Sequence, residues 1–294
     1  MRVVVTGANG AVGRAILRAV PRPEIVAVVR SVRAAAELRA DVGEARVTRV
    51  SYDDAASLAA AFDGASAVVH LAGVLVERPG ATYDEANVET TRRVAEAAKH
   101  AGVAKFVLVS AVGADARSTN RYWRSKGEAE AIVRTCGISY TILRVPVLLG
   151  RGTEAAAALR RRLGGRFAAL LRGGRTLQQP LAVADAARAT LAACAGGTAA
   201  RRTLQLAGPT AIPDRAIVER AARLVGRRVR IIAVPVWSAR LALATAHRAG
   251  RRGFSVDALE VLTTDTRVDP APAARELGLA LTPLDDMLRE SVGP

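Results

Sequence analysis

The chain has 294 residues, half of them hydrophobic and only 3% aromatic, with a formal charge of +16. That length suits one large α/β domain, or a domain with a smaller lobe, around an aliphatic, Ala-rich core. No segment reaches the ~18 uninterrupted apolar residues of a membrane span, and Cys136 and Cys194 make no disulfide framework and fit a reducing cytoplasm. Lysine occurs only at Lys99, Lys105 and Lys126, so the basic excess is almost all arginine. The arginines read as dispersed and lack the interleaved aromatics that stack bases, which argues against a nucleic-acid partner. An anionic lipid or an acidic protein partner stays open.

Met1 to Gly13 reads MRVVVTGANGAVG. Val3, Val4 and Val5 are β-branched and predict a buried parallel strand. Gly7, Gly10 and Gly13 follow at three-residue spacing, and Arg14 to Val20 is apolar at helical spacing. A strand, a Gly-rich turn and a helix N-terminus form a site for a pyrophosphate, because backbone N–H groups and the helix dipole face the anion. The strand occupies the N-terminus, so no signal peptide is expected.

Further along, Ile25–Val29, Arg46–Val50, Ala67–Leu71, Lys105–Ser110 and Ser139–Arg144 predict strands. Ser57–Phe62, Tyr83–His100 and Tyr122–Thr135 predict helices between them. This alternation specifies an α/β fold with a doubly wound parallel sheet of the Rossmann type. Residues 1–150 form the dinucleotide-binding domain in this reading, with the sheet completed from 176–207. Residues 151–294 form a smaller, mostly helical lobe that closes over the C-terminal edge of the sheet. Ala155–Leu171 reads as a basic helix broken at Gly164-Gly165, suited either to a membrane surface or to ordinary solvent. Pro180–Ala193 reads as a short strand-like entry and a helix, and Thr203–Leu206 and Val229–Val234 read as strands. Trp237–Ala246 either lines an apolar pocket or fills the core of the lobe. His100 and His247 lie in polar, basic surroundings and read as solvated. With no His/Cys/Asp cluster at ligand spacing, no metal is expected.

Tyr122-Trp123-Arg124-Ser125-Lys126 places a phenol and an ammonium four residues apart on one helix face. An ammonium beside a phenol lowers its pKa electrostatically. Such a phenol can exchange a proton with a carbonyl or alcohol while a nicotinamide exchanges hydride, and the lysine can hold ribose hydroxyls. The plainer reading is a packed tyrosine beside a solvated lysine.

On these residues the chain resembles the short-chain dehydrogenase/reductase superfamily along essentially its whole length, closest to the extended and atypical branches. Thr6-Gly7-Ala8-Asn9-Gly10-Ala11-Val12-Gly13 looks like the TGxxGxxG loop. His70-Leu71-Ala72-Gly73 looks like the fourth-strand motif beside the cofactor ribose. Asn87 resembles the helix asparagine, and Arg144-Val145-Pro146-Val147 resembles the segment against which the nicotinamide packs. Pro180-Leu181-Ala182-Val183-Ala184-Asp185 and Ala207-Gly208-Pro209 resemble later family segments. The Tyr122–Glu130 stretch is similar to bacterial relatives of the nucleotide-binding accessory subunit of respiratory complex I, some of which hold NADPH without known turnover.

The resemblance implies Tyr122, Lys126, Ser110 and Asn87 as catalytic candidates. It implies Thr6, Gly7, Asn9, Gly10, Ala11, Val12, Gly13, Leu71, Ala72, Gly73, Lys126, Val145, Pro146 and Val147 at the cofactor. Two departures stand out. Val112 falls where extended enzymes place a catalytic Ser or Thr, leaving Ser110 either to replace it or to satisfy a backbone group. Ser51 falls where the family has its adenine-binding Asp, leaving backbone groups of Ser51 or Tyr52 to meet the adenine. The second strand ends in Arg30-Ser31, with Arg14 and Arg33 nearby, rather than in an acidic residue that would accept from a ribose 2′-hydroxyl. A guanidinium binds phosphate bidentately, so NADP(H) is expected over NAD(H).

Two functions compete. One is an NADPH-dependent oxidoreductase of a small, apolar carbonyl or quinone-like compound, with Tyr122 as proton donor. The other is a non-catalytic, NADPH-holding accessory or assembly subunit, or a redox sensor of the NmrA-like kind. A cytoplasmic setting suits both.

Overall fold

The computed structural model describes residues 1–19, 24–42, 46–195, 200–248 and 253–293. The first half runs β1 (Val3–Thr6), α1 (Ala11–Ala19), β2 (Ile25–Val29), α2 (Val32–Val42), β3 (Arg46–Arg49), α3 (Ala55–Phe62) and β4 (Ala67–His70). A π-helical turn (Asp84–Glu89) leads into α4 (Thr90–His100), followed by β5 (Lys105–Ala111), α5 (Arg121–Thr135) and β6 (Ser139–Val145). The second half adds β7 (Leu148–Leu149), α6 (Glu154–Leu163), β8 (Phe167–Leu171), β9 (Leu177–Gln178), β10 (Leu181–Ala182), α7 (Val183–Cys194) and β11 (Arg202–Gln205). It ends with β12 (Ile212–Pro213), α8 (Asp214–Leu224), β13 (Arg230–Val234), α9 (Val236–Arg248), α10 (Val256–Thr263), α11 (Ala271–Glu276) and α12 (Leu284–Val292).

Seven parallel strands form the central sheet in the order β11-β6-β5-β4-β1-β2-β3. Strand periodicity of two divides its side chains between two cores. Val3, Val5, Ala27, Val29, Val69, Val107 and Leu143 face one core, sealed by α1, α2, α7 and α11. Val4, Val26, Val28, Val68, Phe106, Leu108 and Ile142 face the other, sealed by α3, α4 and α5. Because both faces are covered, the strands read as unbroken apolar runs rather than as alternations. The chain reverses direction along the sheet between β3 and β4, so β1 and β4 part at their C-terminal ends. Ligands bind at such a crevice in open α/β sheets.

A third core lies beyond the sheet. Leu149, Leu159, Leu163, Leu170, Ile217, Val218, Met287 and Leu288 join α6, β8, α8 and α12 there. Two sequence expectations change, and one helix had none. Val32–Val42 is a helix that the sequence pattern did not signal. Residues 167–171 are a strand, β8, rather than the second half of a basic helix, and they pair in parallel with β13. Trp237 and Leu241 of α9 are exposed, so this helix neither fills a core nor lines a described pocket. Val20 lies outside the described residues, as does the side chain of His247, whereas His100 is exposed.

Candidate active site

The crevice is shaped first by glycine. Gly7 adopts φ +69°, and a Cβ there would stand 2.7 Å from the backbone nitrogen of Ala72. The loop after β1 thus passes directly against the loop after β4. A Cβ on Gly13 would stand 2.3 Å from the Ala8 carbonyl oxygen, so only glycine lets α1 pack on the loop that precedes it. The first hydrogen bond into α1 is Arg14 N–H to Gly10 O at 3.0 Å. The first-turn amides of Ala11, Val12 and Gly13 are left for an anion. The amides of Gly7 and Gly10 are already used: Gly7 N–H donates to the Tyr52 hydroxyl at 3.2 Å, and Gly10 N–H to Gly7 O at 3.1 Å.

These loops bound a cleft of about 460 Å³. Gly7, Asn9 and Gly10 line it at the glycine loop, and Arg30, Ser31, Ala34 and Tyr52 line it beyond β2. Val29, Leu71, Ala72, Gly73, Val74, Ala86 and Thr90 complete it. Eight of the expected cofactor residues therefore meet around one space: Gly7, Asn9, Gly10, Arg30, Tyr52, Leu71, Ala72 and Gly73. Thr6, Ala11, Val12 and Gly13 are not among the residues that line it, and Thr6, Val12 and Gly13 are buried. Ser51 is exposed and turned to Asp53, whose backbone N–H donates to its hydroxyl at 3.3 Å. Tyr52 contributes a buried side chain, not just its backbone, and burial pushes its phenol pKa up. Val145, Pro146 and Val147 do not line this cleft, and Val147 opens on a different pocket.

The three arginines near the adenosine end differ in availability. Arg14 pairs with Asp41 at 2.7 Å, and Arg33 pairs with Glu37 at 2.7 Å. Arg30 lines the cleft, with its guanidinium 5.8 Å from the Tyr52 ring centroid. Among the described residues no carboxylate lines the cleft. The space thus fits a dinucleotide: a glycine cradle and free helix amides for the pyrophosphate, and one cation at the far end.

The helix α5 carries Tyr122 and Lys126 into place. Asn120 caps it, accepting from the N–H groups of Tyr122 and Trp123 at 3.1 and 3.2 Å. The Asn120 side chain also donates to Asp257 O and Glu260 Oε2 of α10, at 3.0 and 2.9 Å. Lys126 is buried, and its ammonium donates to Val109 O at 3.0 Å. A Cβ on Gly73 would lie 3.7 Å from Lys126 Nζ, so the ammonium stands at the Gly73 end of the cleft. Burial pushes its pKa down to about 8, against a smaller upward pull from Glu130. The Tyr122 ring packs at 5.8 Å, tilted, against Tyr83. Its hydroxyl has no hydrogen-bond partner among the described residues. The expectation of a phenol acidified by lysine is corrected: burial, with the neighbouring Tyr83, pushes Tyr122 above the ordinary tyrosine range.

Asn87 and Ser110 are committed elsewhere. Asn87 Oδ1 accepts from Val74 N–H at 2.8 Å, and its amide donates to Ser125 Oγ at 2.9 Å. It thereby ties the loop after β4 to α5. Ser110 donates to Glu130 Oε1 at 2.6 Å. Glu130 is fully buried and also accepts from Arg144 at 2.8 and 2.7 Å and from Arg134 at 2.7 Å. Burial alone would raise the Glu130 pKa, but the hydrogen bonds from Arg144 and Ser110 outweigh it and hold the carboxyl below its usual range. Sequence reasoning missed this network. Its one signal was the spacing of Tyr122, Lys126 and Glu130, four residues apart on one helix face.

A second, smaller pocket of about 140 Å³ lies in the other lobe. Val147, Leu149, Ala155, Leu159, Leu171, Ile217 and Leu262 make it apolar, and Arg162, Thr176, Gln178 and Asp214 supply its polar edge. Thr176 is buried, and its hydroxyl has no partner among the described residues. Burial pushes the Asp214 pKa up, with the Arg162 guanidinium 3.5 Å away opposing it. None of these polar residues was singled out from sequence. Among the described residues no cluster of three or more His, Cys, Asp or Glu side chains could hold a metal.

Fold and cleft together define a dinucleotide-binding α/β protein. The family model described as NAD(P)H-binding matches residues 7–167, more than half of the chain, and the chain belongs to that family. The short-chain dehydrogenase/reductase resemblance read from its motifs holds. The chain is 27% identical over 246 residues to the mitochondrial NADH dehydrogenase (ubiquinone) 1 alpha subcomplex subunit 9 of Arabidopsis thaliana, covering 79% of this chain and 61% of that protein. It is 31% identical over 164 residues to a ceramide reductase of Caulobacter vibrioides, covering 53% of this chain and 49% of that protein. The chain thus spans between about half and three-fifths of the length of these relatives. In fold it is similar to UDP-glucuronic acid 4-epimerase from Bacillus cereus in complex with UDP-glucuronic acid and NAD. That match has a TM-score of 0.77 at 17% identity and covers 99% of this chain and 98% of that one. It is likewise similar to MoeE5 in complex with UDP-glucuronic acid and NAD, with a TM-score of 0.76 at 22% identity over 99% of this chain and 98% of that one.

Proposed function

We infer that the protein is an NADP(H)-dependent oxidoreductase acting on a small, mostly apolar carbonyl or quinone-like compound. The observation that carries this reading is the pair on α5. Tyr122 keeps a hydroxyl with no hydrogen-bond partner among the described residues, and Lys126 holds its ammonium at the Gly73 end of the cleft. The bound nicotinamide would supply the hydride. The amides of Ala11, Val12 and Gly13 would hold the pyrophosphate, Arg30 the 2′-phosphate and Lys126 the ribose hydroxyls. Tyr122 would hand its proton to the carbonyl oxygen; a phenol held in the protonated form by burial suits a donor. The apolar pocket beginning at Val147 would take the body of the substrate, with the Thr176 hydroxyl available to a polar group on it.

One observation favours a second reading. Ser110 is engaged by Glu130, and the Val112 carbonyl accepts from Trp123 Nε1 at 3.1 Å, so no side-chain hydroxyl of this strand end assists Tyr122. A protein that holds NADPH without turnover, as an accessory or assembly subunit or a redox sensor, needs no such group. The similarity to complex I subunit 9 supports that alternative.

The experiment is a paired titration with NADPH and NADH, followed by NADPH consumption against a panel of quinones, aldehydes and ketones. Tight NADPH binding with consumption by any panel member supports the oxidoreductase. Tight binding without consumption supports the holding role, and failure to bind either cofactor removes both.

A further inference from the structure

The arginine excess is not dispersed once the chain is folded. Residues 155–184 contain six arginines and no Asp or Glu, and residues 220–256 contain nine arginines and no Asp or Glu. The fold lays these two stretches side by side. β8 pairs with β13 in parallel, with Phe167 opposite Arg230 and Ala169 opposite Ile232. Arg230 N–H donates to Arg166 O at 2.9 Å, and Arg227 Nη1 donates to Leu163 O at 2.7 Å. Two carboxylate-free segments meet in one ribbon.

The same ribbon also exposes apolar side chains. Phe167 is 56% and Ile232 49% exposed, and paired positions in register share a face. Leu224 and Val225 are exposed at the turn leading into β13. The next helix, α9, leaves Trp237 70% and Leu241 59% exposed, four residues apart on one face with Arg240 beside them. Arg223, Arg228, Arg230 and Arg240 have no carboxylate partner among the described residues. The carboxylates that approach this region are Asp285, 3.6 Å from Arg220, Asp214, 3.5 Å from Arg162, and Glu219, 3.1 Å from Arg215.

We propose that the β8–β13 ribbon and α9 dock the protein on an anionic lipid surface. Arginines attract the negative headgroups, and exposed Phe, Ile, Leu and Val side chains leave water for the acyl boundary. Trp237 has the amphipathic ring favoured at that depth. Of its exposed apolar side chains Phe167 and Trp237 carry a ring on which a base could stack, whereas Leu224, Val225, Ile232 and Leu241 are aliphatic, so the surface fits lipid better than nucleic acid. Among the described residues no helix is long and apolar enough to cross a membrane.

The test is flotation of the full chain with vesicles of phosphatidylcholine and with vesicles of phosphatidylcholine plus phosphatidylglycerol. The protein should float with the second kind only, and less as salt rises. The double variant Arg228→Glu, Arg230→Glu should weaken partition at least about a hundredfold, and Trp237→Ala with Leu241→Ala should weaken it too. A like reversal on the far edge strand, Arg49→Glu, should leave it unchanged. NADPH titration of every variant reports an intact fold independently of turnover. Absence of flotation, equal flotation with both vesicles, or wild-type flotation of the double variant would overturn the proposal. So would binding to heparin or to an acidic protein without binding to vesicles.

Discussion

Replacing Lys126 by methionine should make the cofactor-free protein more stable while making it a poorer binder of NADPH. The lysine is 7% exposed, and burial takes its pKa from the ordinary 10.5 down to about 8. At about 1.4 kcal/mol per pH unit, holding the charge inside costs about 3 kcal/mol at pH 7. The bond to Val109 O offsets about 1 kcal/mol of that. A methionine of similar length forgoes both, so the variant should gain about 2 kcal/mol at pH 7, read by urea denaturation. Between pH 8 and pH 10.5 the unfolded lysine keeps its proton and the folded one sheds it. Wild-type stability therefore rises with pH across that window, is fully recovered above about 10.5, and is lost again as pH falls from about 10.5 to about 8. The advantage of the variant should shrink accordingly by pH 10. The same variant should bind NADPH about tenfold or more weakly, through loss of a charge-assisted hydrogen bond to the ribose. A variant less stable than wild type at pH 7, or an advantage that does not change with pH, would refute the burial argument.

Arg30→Asp should weaken NADPH at least about tenfold more than NADH in paired titrations, because it removes the one arginine of the three that lines the cleft. Equal loss of both cofactors would detach Arg30 from the 2′-phosphate. Tyr122→Phe should leave NADPH affinity unchanged and lower turnover of a panel substrate about a hundredfold or more; unchanged turnover would remove Tyr122 from proton transfer. Glu130→Gln should destabilise by about 3 kcal/mol, since it breaks a buried pair and leaves Arg144 uncompensated. The lowered pKa of Glu130 contributes stability above the unfolded carboxyl value of about 4.5 and loses it as pH falls through the folded value, so the variant should also lose part of its acid dependence. A melting point that matches wild type at pH 7 would count against a structural role for this network.

The sheet was legible because each strand is an apolar run between turn signals, and both faces are buried. α2 was not, because its Ala- and Arg-rich sequence carries only a weak apolar face. β8 was misread for a different reason. FAALL is too short to distinguish strand from helix, and its partner β13 lies some sixty residues away, where no local pattern reveals the pairing. At the site, glycine spacing located the cradle, since each glycine answers a local steric demand. The roles of Ser110 and Asn87 were not legible, because they depend on which partner the fold brings near. Ser110 was an open question until α5 set Glu130 beside it. Tyr122 was read as acidified from its spacing to Lys126, but spacing carries no information about burial, and burial dominates its pKa.

His70 shows how deep such hidden order runs. It is fully buried between β1 and α4, and burial, with the Lys126 charge, holds its pKa at about 3. The imidazole is therefore neutral at physiological pH and carries one proton. Thr91 spends its hydroxyl proton on Asn87 O, 2.6 Å away, so it can only accept from His70 Nε2 at 3.1 Å. With Nε2 as the donor, His70 Nδ1 accepts from Thr6 Oγ1 at 2.7 Å, a shorter contact than the 3.3 Å from that hydroxyl to Val69 O. This tautomer satisfies His70, Thr6 and Thr91 together, and the chain of bonds runs from the residue before Gly7 to the residue that anchors Val74 and Ser125. The glycine cradle and the start of the Tyr122 helix are thus tied together by a chain of buried polar bonds. A site built to receive a ligand across two separated loops requires that rigidity, and apolar packing alone specifies it less sharply.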